Sequence, residues 1–358
     1  MRFEGSSSPD DATGTGPLPA LLDWADIQAA RPQPLPQEEP MPVPVQFADR
    51  LALPLIGAPM FIASYPELVI AQCRAGVIGS FPSLNARSVA ILDEWLGGLT
   101  ASTAPRPGER IAPFGMNLIL HRSNTRRGED LALAAGHRVP LIITSVGKPD
   151  SVCETVHAYG GLVFHDVISV EHARKALACG VDGLILVCAG AGGHAGTLSP
   201  FALLSELREF FDGPIALAGA LSNGAQLRAA EVMGADFGYM GTRFIATVEA
   251  HVSDQQKQMI LDSAGADIVY TPYFTGIRGN YLRASVERVG LDPTRLDAAA
   301  GSPGEVFNPH EQTAKAWKDI WSAGHGVGTI HDVPTTAALV ARLRQEYAAA
   351  VRLPSAFA

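Results

Sequence analysis

Eight short runs of apolar residues, separated by segments with helical character, constrain the fold of this chain more than any other feature. The runs lie at 53–60, 76–81, 112–119, 139–147, 161–167, 180–187, 214–221 and 237–241. Nearly continuous apolar runs of this length are typical of strands buried on both faces, as in a parallel sheet. One of the helices predicted between them begins at Ser169 and ends at Gly180. Another begins at Asn223, as its N-cap, and ends at Gly234.

This alternation predicts an α/β fold in which eight parallel strands and their helices close into a (β/α)8 TIM barrel. The competing architecture is an open, doubly wound sheet. The number of strands favours the barrel, and the first run is not followed by the GxGxxG sequence that a dinucleotide-binding sheet would need.

Four regions are predicted along the chain. Residues 1–45 contain nine prolines and form an extended arm or a partly disordered tail. Residues 46–243 form the barrel. Residues 244–330, where the alternation stops, are expected to be an inserted helical subdomain over the barrel mouth. Residues 331–358 carry a C-terminal amphipathic helix that returns to the barrel.

Composition excludes several classes of function. The 358 residues carry a formal net charge of −9 without a basic stripe, so we expect no nucleic-acid partner. No run of 18 apolar residues is present, so we expect no membrane span, and the N-terminus lacks the apolar core of a signal peptide. The four cysteines show no CxxC spacing, which argues against zinc and for a reducing cytoplasm. No metal site is predicted.

The strongest local signal is the sequence GAGGHAGT at 190–197, which follows the sixth run. In a barrel it lies on the C-terminal face, where active sites are built. Glycines allow the backbone to approach a ligand closely, and the residues around His194 are too small to bury its ring. The imidazole could serve as acid, base or hydrogen-bond donor. The alternative is a glycine-rich turn with an exposed histidine.

A second signal is a pair of motifs, Gly219–Ala220 after the seventh run and Gly241–Thr242 after the eighth. Barrels often bind phosphate with these two loops through backbone N–H groups. Arg243 would either neutralise the phosphate or pair with a carboxylate on the outside of the barrel.

Other residues at the ends of the runs are weaker candidates. Asn117 suits hydrogen bonding to a heterocycle, and Met60 could pad a ring system. His165 and Asp166 could form a polar pair. Cys188 lies beside an apolar run, which favours a buried, inert thiol over a nucleophile.

An aromatic segment, YTPYFTGIRGNY at 270–281, either lines the substrate pocket or packs a subdomain interface.

Several motifs together resemble the nitronate monooxygenase family, formerly called 2-nitropropane dioxygenase. They are GAPM (57–60), FGMNL (114–118), AGAGGHAG (189–196), IALAGALSNG (215–224), GADFGYMGTRF (234–244) and FTGIRGNYLR (274–283). The resemblance covers the chain from about Leu51 to the C-terminus and implies a TIM barrel with FMN at its mouth and an inserted helical domain. It implies that His194 is the active-site histidine near the flavin. The implied FMN contacts are Met60, Asn117, Gly192, Gly193, Gly219, Ala220, Gly241 and Thr242.

The chain departs from the family pattern at three places. Many members carry Gly-x-Glu before the glycines and histidine, where this chain has residues 187–190. Asp166 takes the place of a lysine that contacts flavin in many members, so it is expected at the cofactor. Ala220 replaces the second glycine of the phosphate loop, and its N–H contact is expected to survive if its φ is negative.

Together with these motifs, the resemblance implies FMN-dependent oxidation of an alkyl nitronate by O2 to a carbonyl compound and nitrite. The alternative enzyme is an NAD(P)H-dependent flavin reductase acting on a quinone or an enoyl thioester. The non-enzymatic alternative is a flavin-binding scaffold whose Pro-rich arm recruits a partner. The expected partners are a small-molecule substrate and O2, with a homodimer left open.

Overall fold

The computed structural model describes residues 43–299 and 318–352, so most of the predicted arm lies outside the described residues. Each of the eight apolar runs contains or overlaps one strand of a parallel sheet. These strands are β1 (Leu55–Gly57), β2 (Gly79–Pro82), β3 (Phe114–Ile119), β4 (Leu141–Ser145), β5 (Leu162–Val167), β6 (Gly183–Val187), β8 (Ile215–Ala218) and β9 (Phe237–Met240).

The sheet closes on itself, which confirms the barrel. Its hydrogen-bonded order is β1-β9-β8-β6-β5-β4-β3-β2. The two ends of this order meet between β1 and β2, where the Gly57 N–H donates to the Ile78 carbonyl at 2.7 Å and the Ile78 N–H donates to Leu55 at 3.0 Å. No edge is therefore left open, as in a TIM barrel.

Helices follow most of the strands. The described helices are α1 (Val45–Ala48), α2 (Pro66–Arg74), α3 (Val89–Ser102), α4 (Arg127–Gly136), α5 (Asp150–His157), α6 (Val170–Leu177), α7 (Pro200–Arg208), α8 (Gly224–Val232), α9 (Thr242–Ile245), α10 (Asp254–Leu261), α11 (Arg283–Arg288), α12 (Leu296–Ala299) and α13 (Thr336–Val351). In the part of the chain that the structure describes, no helix is both long and apolar enough to cross a membrane.

The predicted helix starts are confirmed by their hydrogen bonds. The Ser169 side chain accepts from the His172 N–H at the start of α6. At α8, Asn223 and Gln226 form a reciprocal capping box.

The core has two layers, inside the barrel and between the barrel and its helices. The inner layer is apolar and includes Ile56, Ile78, Leu141, Ile143, Phe164, Ile185, Ala216, Ala218, Phe237 and Tyr239. Phe47 of α1 belongs to the same cluster and is 1% exposed. Because the interior is filled by side chains, ligand space lies at the carboxyl ends of the strands.

The segment after β9 contains helices and also strands that the sequence pattern did not indicate. Strands β10 (Ile268–Thr271) and β11 (Gly279–Leu282) pair antiparallel, and β11 also pairs with β7 (Gly193–His194). This three-stranded sheet places residues 268–282 against the glycine-rich loop that follows β6.

The last helix, α13, lies against α8. The Gly224 N–H donates to the Glu346 carboxylate at 2.7 Å, and Tyr347 hydrogen-bonds Glu231.

Candidate active site

His194 is held at the barrel mouth by strand pairing. It lies opposite Gly279 in the β7–β11 register, and its Nε2 is 2.9 Å from the Thr275 hydroxyl oxygen. The Thr275 hydroxyl is also 3.0 Å from the Ile277 carbonyl, to which it donates. Since that hydroxyl has one proton, it accepts from Nε2–H of His194, which assigns the neutral tautomer with its lone pair on Nδ1.

The ring of His194 is partly buried, contrary to the expectation drawn from its small neighbours. Burial lowers the pKa of His194 to about 4. The covering residues come from distant parts of the chain, which include Thr275 and the loop around it. His194 is therefore a neutral imidazole at pH 7 in the protein without ligand.

The two predicted phosphate loops lie side by side at the ends of β8 and β9. The backbone N–H groups of Gly219, Ala220 and Gly241 donate no hydrogen bond to another described residue. Unpaired backbone donors in a partly buried loop need an outside acceptor. This arrangement fits a phosphate.

Ala220 has a φ of +59°, so the condition of a negative φ, under which its N–H contact was expected to survive, is not met. Gly219, immediately before it, has a φ of +149°. The left-handed conformation costs an alanine about 1–2 kcal/mol, and it is the tight turn at the end of β8 that requires it. Its amide remains unpaired, so the strain does not remove the donor.

Strained backbone is concentrated at this face of the barrel. Besides Ala220, the β-branched residues Ile62 (φ +70°) and Val146 (φ +55°) have positive φ, and they follow β1 and β4. Such strain persists where surrounding structure enforces it, commonly at binding sites.

A further segment, 323–329, completes the phosphate loops and was missed by the sequence analysis. The Gly324 N–H donates to the Thr242 hydroxyl at 2.9 Å, and the His325 N–H donates to the Gly190 carbonyl at 2.9 Å. A Cβ on Gly326 would lie 2.7 Å from the Ala220 carbonyl oxygen. The alternating glycines of GHGVG at 324–328 were the signal that could have indicated this close approach.

Thr242 keeps its own hydroxyl proton for a ligand, because it accepts from Gly324. Arg243, in contrast, points away from the loops. It is 3% exposed and donates to the Asp332 carboxylate at 2.7 Å. The structure therefore shows the second of the two alternatives for Arg243, in which it pairs with a carboxylate on the outside of the barrel.

Asn117 and Met60 also lie at the mouth. The Asn117 amide donates to the Ile143 carbonyl and the Ser145 hydroxyl, both at 3.1 Å, which leaves its Oδ1 as an acceptor. Met60 is fixed by the Asn85 amide, which donates to its carbonyl at 3.1 Å. A Cβ on Gly241 would lie 3.5 Å from the Met60 sulfur, so Met60 adjoins the second phosphate loop.

Gly192 and Gly193 lie on the loop that carries His194. A Cβ on Gly192 would lie 2.9 Å from the Gly324 nitrogen and 3.2 Å from the Thr242 hydroxyl oxygen. Gly193 pairs with Asn280 in the β7–β11 register. Both glycines therefore lie where the histidine loop meets the phosphate loops.

His165 and Asp166 do not form the predicted polar pair, since successive residues of a strand face opposite sides of the sheet. His165 faces the helices, where its Nδ1 is 2.8 Å from the Thr144 hydroxyl, and burial lowers its pKa to about 4. Asp166 faces the barrel interior. Its Oδ1 is buried without a hydrogen-bond partner among the described residues, and burial raises its pKa to about 7.

Cys188 is fully buried, and burial raises the pKa of its thiol to about 12. A thiol with so high a pKa is a poor nucleophile at neutral pH. This is the inert cysteine that its position beside an apolar run indicated.

The aromatic segment packs partly within the subdomain and partly against the barrel. Phe274 and Tyr281 are buried, and their rings pack edge to face with centroids 4.9 Å apart. They therefore contribute to the core of the subdomain. Tyr270 packs against the barrel interior, and its hydroxyl donates to the Ala195 carbonyl at 2.7 Å, one residue after His194.

The residues at the mouth fit a ligand that carries a phosphate and a ring system, as a flavin cofactor does. Unpaired amides and the Thr242 hydroxyl match a phosphate, and the Asn117 carbonyl and Met60 match a ring system. In the described ranges, no three His, Cys, Asp or Glu side chains are placed to hold a metal ion.

Comparisons with known proteins identify the family of this chain. The sequence profile of the nitronate monooxygenase family matches residues 110–346, more than half of the chain. A nitronate monooxygenase of Neurospora crassa is 30% identical over 349 residues, which cover 85% of this chain and 91% of that protein. A 27% identical relative from Mycobacterium tuberculosis is matched over only 61% of its length.

A solved nitroalkane oxidase from Streptomyces ansochromogenes has the same fold. The two structures superpose with a TM-score of 0.68 and share 24% sequence identity. The match covers 85% of this chain and 98% of the nitroalkane oxidase chain. The profile match and the Neurospora crassa relative show that this chain belongs to the nitronate monooxygenase family and is a flavin-dependent oxidoreductase.

Proposed function

We propose that this protein uses FMN to oxidise an alkyl nitronate with O2, which yields a carbonyl compound and nitrite, with His194 at the flavin. The observation that carries the proposal is the convergence of His194 and the unpaired phosphate-loop amides on one barrel mouth. The family supports nitronate oxidation in general.

The choice of FMN is supported by the phosphate donors. The amides of Gly219, Ala220 and Gly241 and the Thr242 hydroxyl converge at the ends of two adjacent strands. That set suits a single phosphate better than the extended pyrophosphate of FAD. When bound, the flavin supplies the electron acceptor and the reaction with O2.

The role of His194 follows from its environment. In the protein without ligand the imidazole is neutral, with Nε2–H held by Thr275. A nitronate is an anion, and a negative charge beside the ring favours its protonated form. His194 then donates a hydrogen bond to a nitronate oxygen, while Thr275 keeps the ring in place.

The test is an anaerobic flavin-reduction screen with purified holoprotein. We expect an alkyl nitronate to bleach the flavin, whereas NADH and NADPH do not. His194→Gln should slow bleaching by at least about 100-fold and keep the flavin. The matched control is His121→Gln, which changes a partly exposed histidine that follows β3 and should leave the rate unchanged.

Three outcomes would contradict the proposal in different ways. Protein that takes up no flavin refutes the cofactor. Rapid bleaching by NAD(P)H, with no reduction by nitronates, supports instead the reductase acting on a quinone or an enoyl thioester. Full turnover by His194→Gln removes only the assignment of that histidine.

A further inference from the structure

We infer that the carboxyl group of Asp166, at the floor of the barrel mouth, is protonated when flavin binds. Because the protein with a neutral Asp166 binds flavin more tightly, flavin affinity falls as pH rises. This inference rests on the proposed flavin site.

The position of Asp166 follows from strand geometry. Along β5, Phe164 belongs to the inner cluster, whereas Val163 and Val167 belong to the outer layer. Asp166 therefore faces inward, one residue before β5 ends at Val167. Carboxyl ends of the strands form the mouth, so the side chain lies where the barrel interior meets the ligand space.

The surroundings of the carboxyl are poor in partners. The residue as a whole is partly accessible at the mouth, but its Oδ1 is enclosed and accepts no hydrogen bond from a described residue. Burial alone raises its pKa, and no cation contributes. An ionised carboxylate in this place is only partly hydrated and has no counter-charge, so its environment favours the neutral acid.

The groups that face Asp166 do not supply the missing partner. From β4 and β6, the inward side chains Ile143, Ser145, Ile185 and Val187 carry no titratable group. Across the barrel, burial raises the pKa of Tyr239 on β9, and the Asp166 charge raises it further.

Two further side chains with titratable groups, Tyr270 and His194, lie above the mouth, and neither supplies a positive charge at pH 7. The Tyr270 hydroxyl is bound to the Ala195 carbonyl. His194 is a neutral imidazole at pH 7, since burial lowers its pKa to about 4.

The pH dependence follows by linkage. A flavin ring over the mouth removes the remaining water from the carboxyl and raises its pKa further. By reciprocity, the protonated protein then binds flavin more tightly than the ionised protein. Above the pKa of the unliganded protein, affinity falls by up to about tenfold for each pH unit, until the carboxyl also ionises in the complex.

The experiment measures the dissociation constant of FMN by quenching of flavin fluorescence from pH 6.5 to pH 9. We expect wild-type affinity to weaken about tenfold or more over this range. Asp166→Asn, which mimics the neutral acid in size and charge, should vary less than about threefold. Tyr239→Phe is the matched control, because it alters the facing phenol and leaves the carboxyl; it should keep the wild-type dependence.

A second measurement does not depend on the folding of a variant. Infrared difference spectra of the wild-type protein at pH 8 should gain a protonated-carboxyl band when FMN binds. Constant wild-type affinity, a persistent pH dependence in Asp166→Asn, or the absence of that band would overturn the inference. Protein that binds no FMN at any pH would instead refute the proposed function itself.

Discussion

The Nε2 atom of His194 and the hydroxyl oxygen of Thr275 lie 2.9 Å apart, although 81 residues separate them in the chain. The contact exists because β11 pairs with β7 and draws the segment after the barrel onto its mouth. The histidine loop is therefore held by a second part of the molecule rather than by its own sequence. We therefore expect Thr275 to act as a positioning residue for His194.

Thr275→Val should lower the rate of flavin reduction by nitronate about tenfold or more, because the imidazole loses the acceptor that fixes its tautomer. Thr275→Ser keeps the hydroxyl and should restore the rate. The pKa of His194, followed by NMR, should move in Thr275→Val and not in Thr275→Ser. Thr294→Val, at an exposed turn, is the control. Equal rates for the valine and serine variants would exclude a positioning role.

Gly326→Ala should weaken FMN binding by about tenfold or more. The new Cβ would lie 2.7 Å from the Ala220 carbonyl oxygen, so the segment 323–329 has to move away from the first phosphate loop. The control is Gly128→Ala in α4, where a Cβ would meet nothing within 4 Å. Fluorescence titration with FMN measures both. Unchanged affinity in Gly326→Ala would mean that this segment takes no part in the cofactor site.

Ala220→Gly should raise the free energy of unfolding by about 0.5–1 kcal/mol. Relief of the left-handed strain at a φ of +59° outweighs the greater freedom of glycine in the unfolded chain. Ala218→Gly, in the regular part of β8, should instead lower the free energy of unfolding, because a strand position requires no positive φ. Chemical denaturation measures the free energy of unfolding of both variants. A loss of stability in Ala220→Gly would contradict the backbone strain inferred at Ala220.

His165→Gln should remove part of the acid sensitivity of the protein. The pKa of His165 is lowered to about 4 in the folded state, whereas an unfolded histidine titrates near 6.5. Between these values the unfolded chain binds the extra proton, so wild-type stability falls as pH drops through this window, by up to about 3 kcal/mol. Glutamine does not titrate and can still bond to Thr144.

The relevant measurement for His165 is the difference in unfolding free energy between wild type and variant at pH 7 and at pH 4.5. The difference is needed because Asp166, whose pKa is raised to about 7, acts in the opposite direction between about pH 4 and pH 7. If wild type and variant lose stability in parallel, His165 is not buried in its neutral form.

Asp332→Ala should cost about 3 kcal/mol of stability, since it leaves the Arg243 guanidinium, 3% exposed, without its carboxylate. Arg342→Ala removes an exposed partner of the same carboxylate and should cost less than about 1 kcal/mol. Thermal or urea denaturation compares the two. Similar losses would show that burial of the Arg243 guanidinium gives its ion pair no additional contribution to stability.

Much of the barrel could be predicted from local pattern. Buried parallel strands need apolar side chains on both faces, so all eight runs were visible in the sequence, and the caps at Ser169 and Asn223 depend on neighbours three residues away. The adjacent positions of Gly219–Ala220 and Gly241–Thr242 followed from the order of the strands, because adjacent parallel strands end at the same face. These features depend on short-range geometry and on topology.

The environment of the site was decided only by tertiary structure. Small neighbours in sequence suggested an exposed His194, but Thr275 is brought to its ring by the pairing of β11 with β7. The φ of Ala220 depends on a tight turn rather than on residue type. Asp166 and His165, adjacent in sequence, face an apolar interior and a helix layer respectively. Burial and long-range pairing set their protonation states, and neither is encoded in any local stretch of the chain.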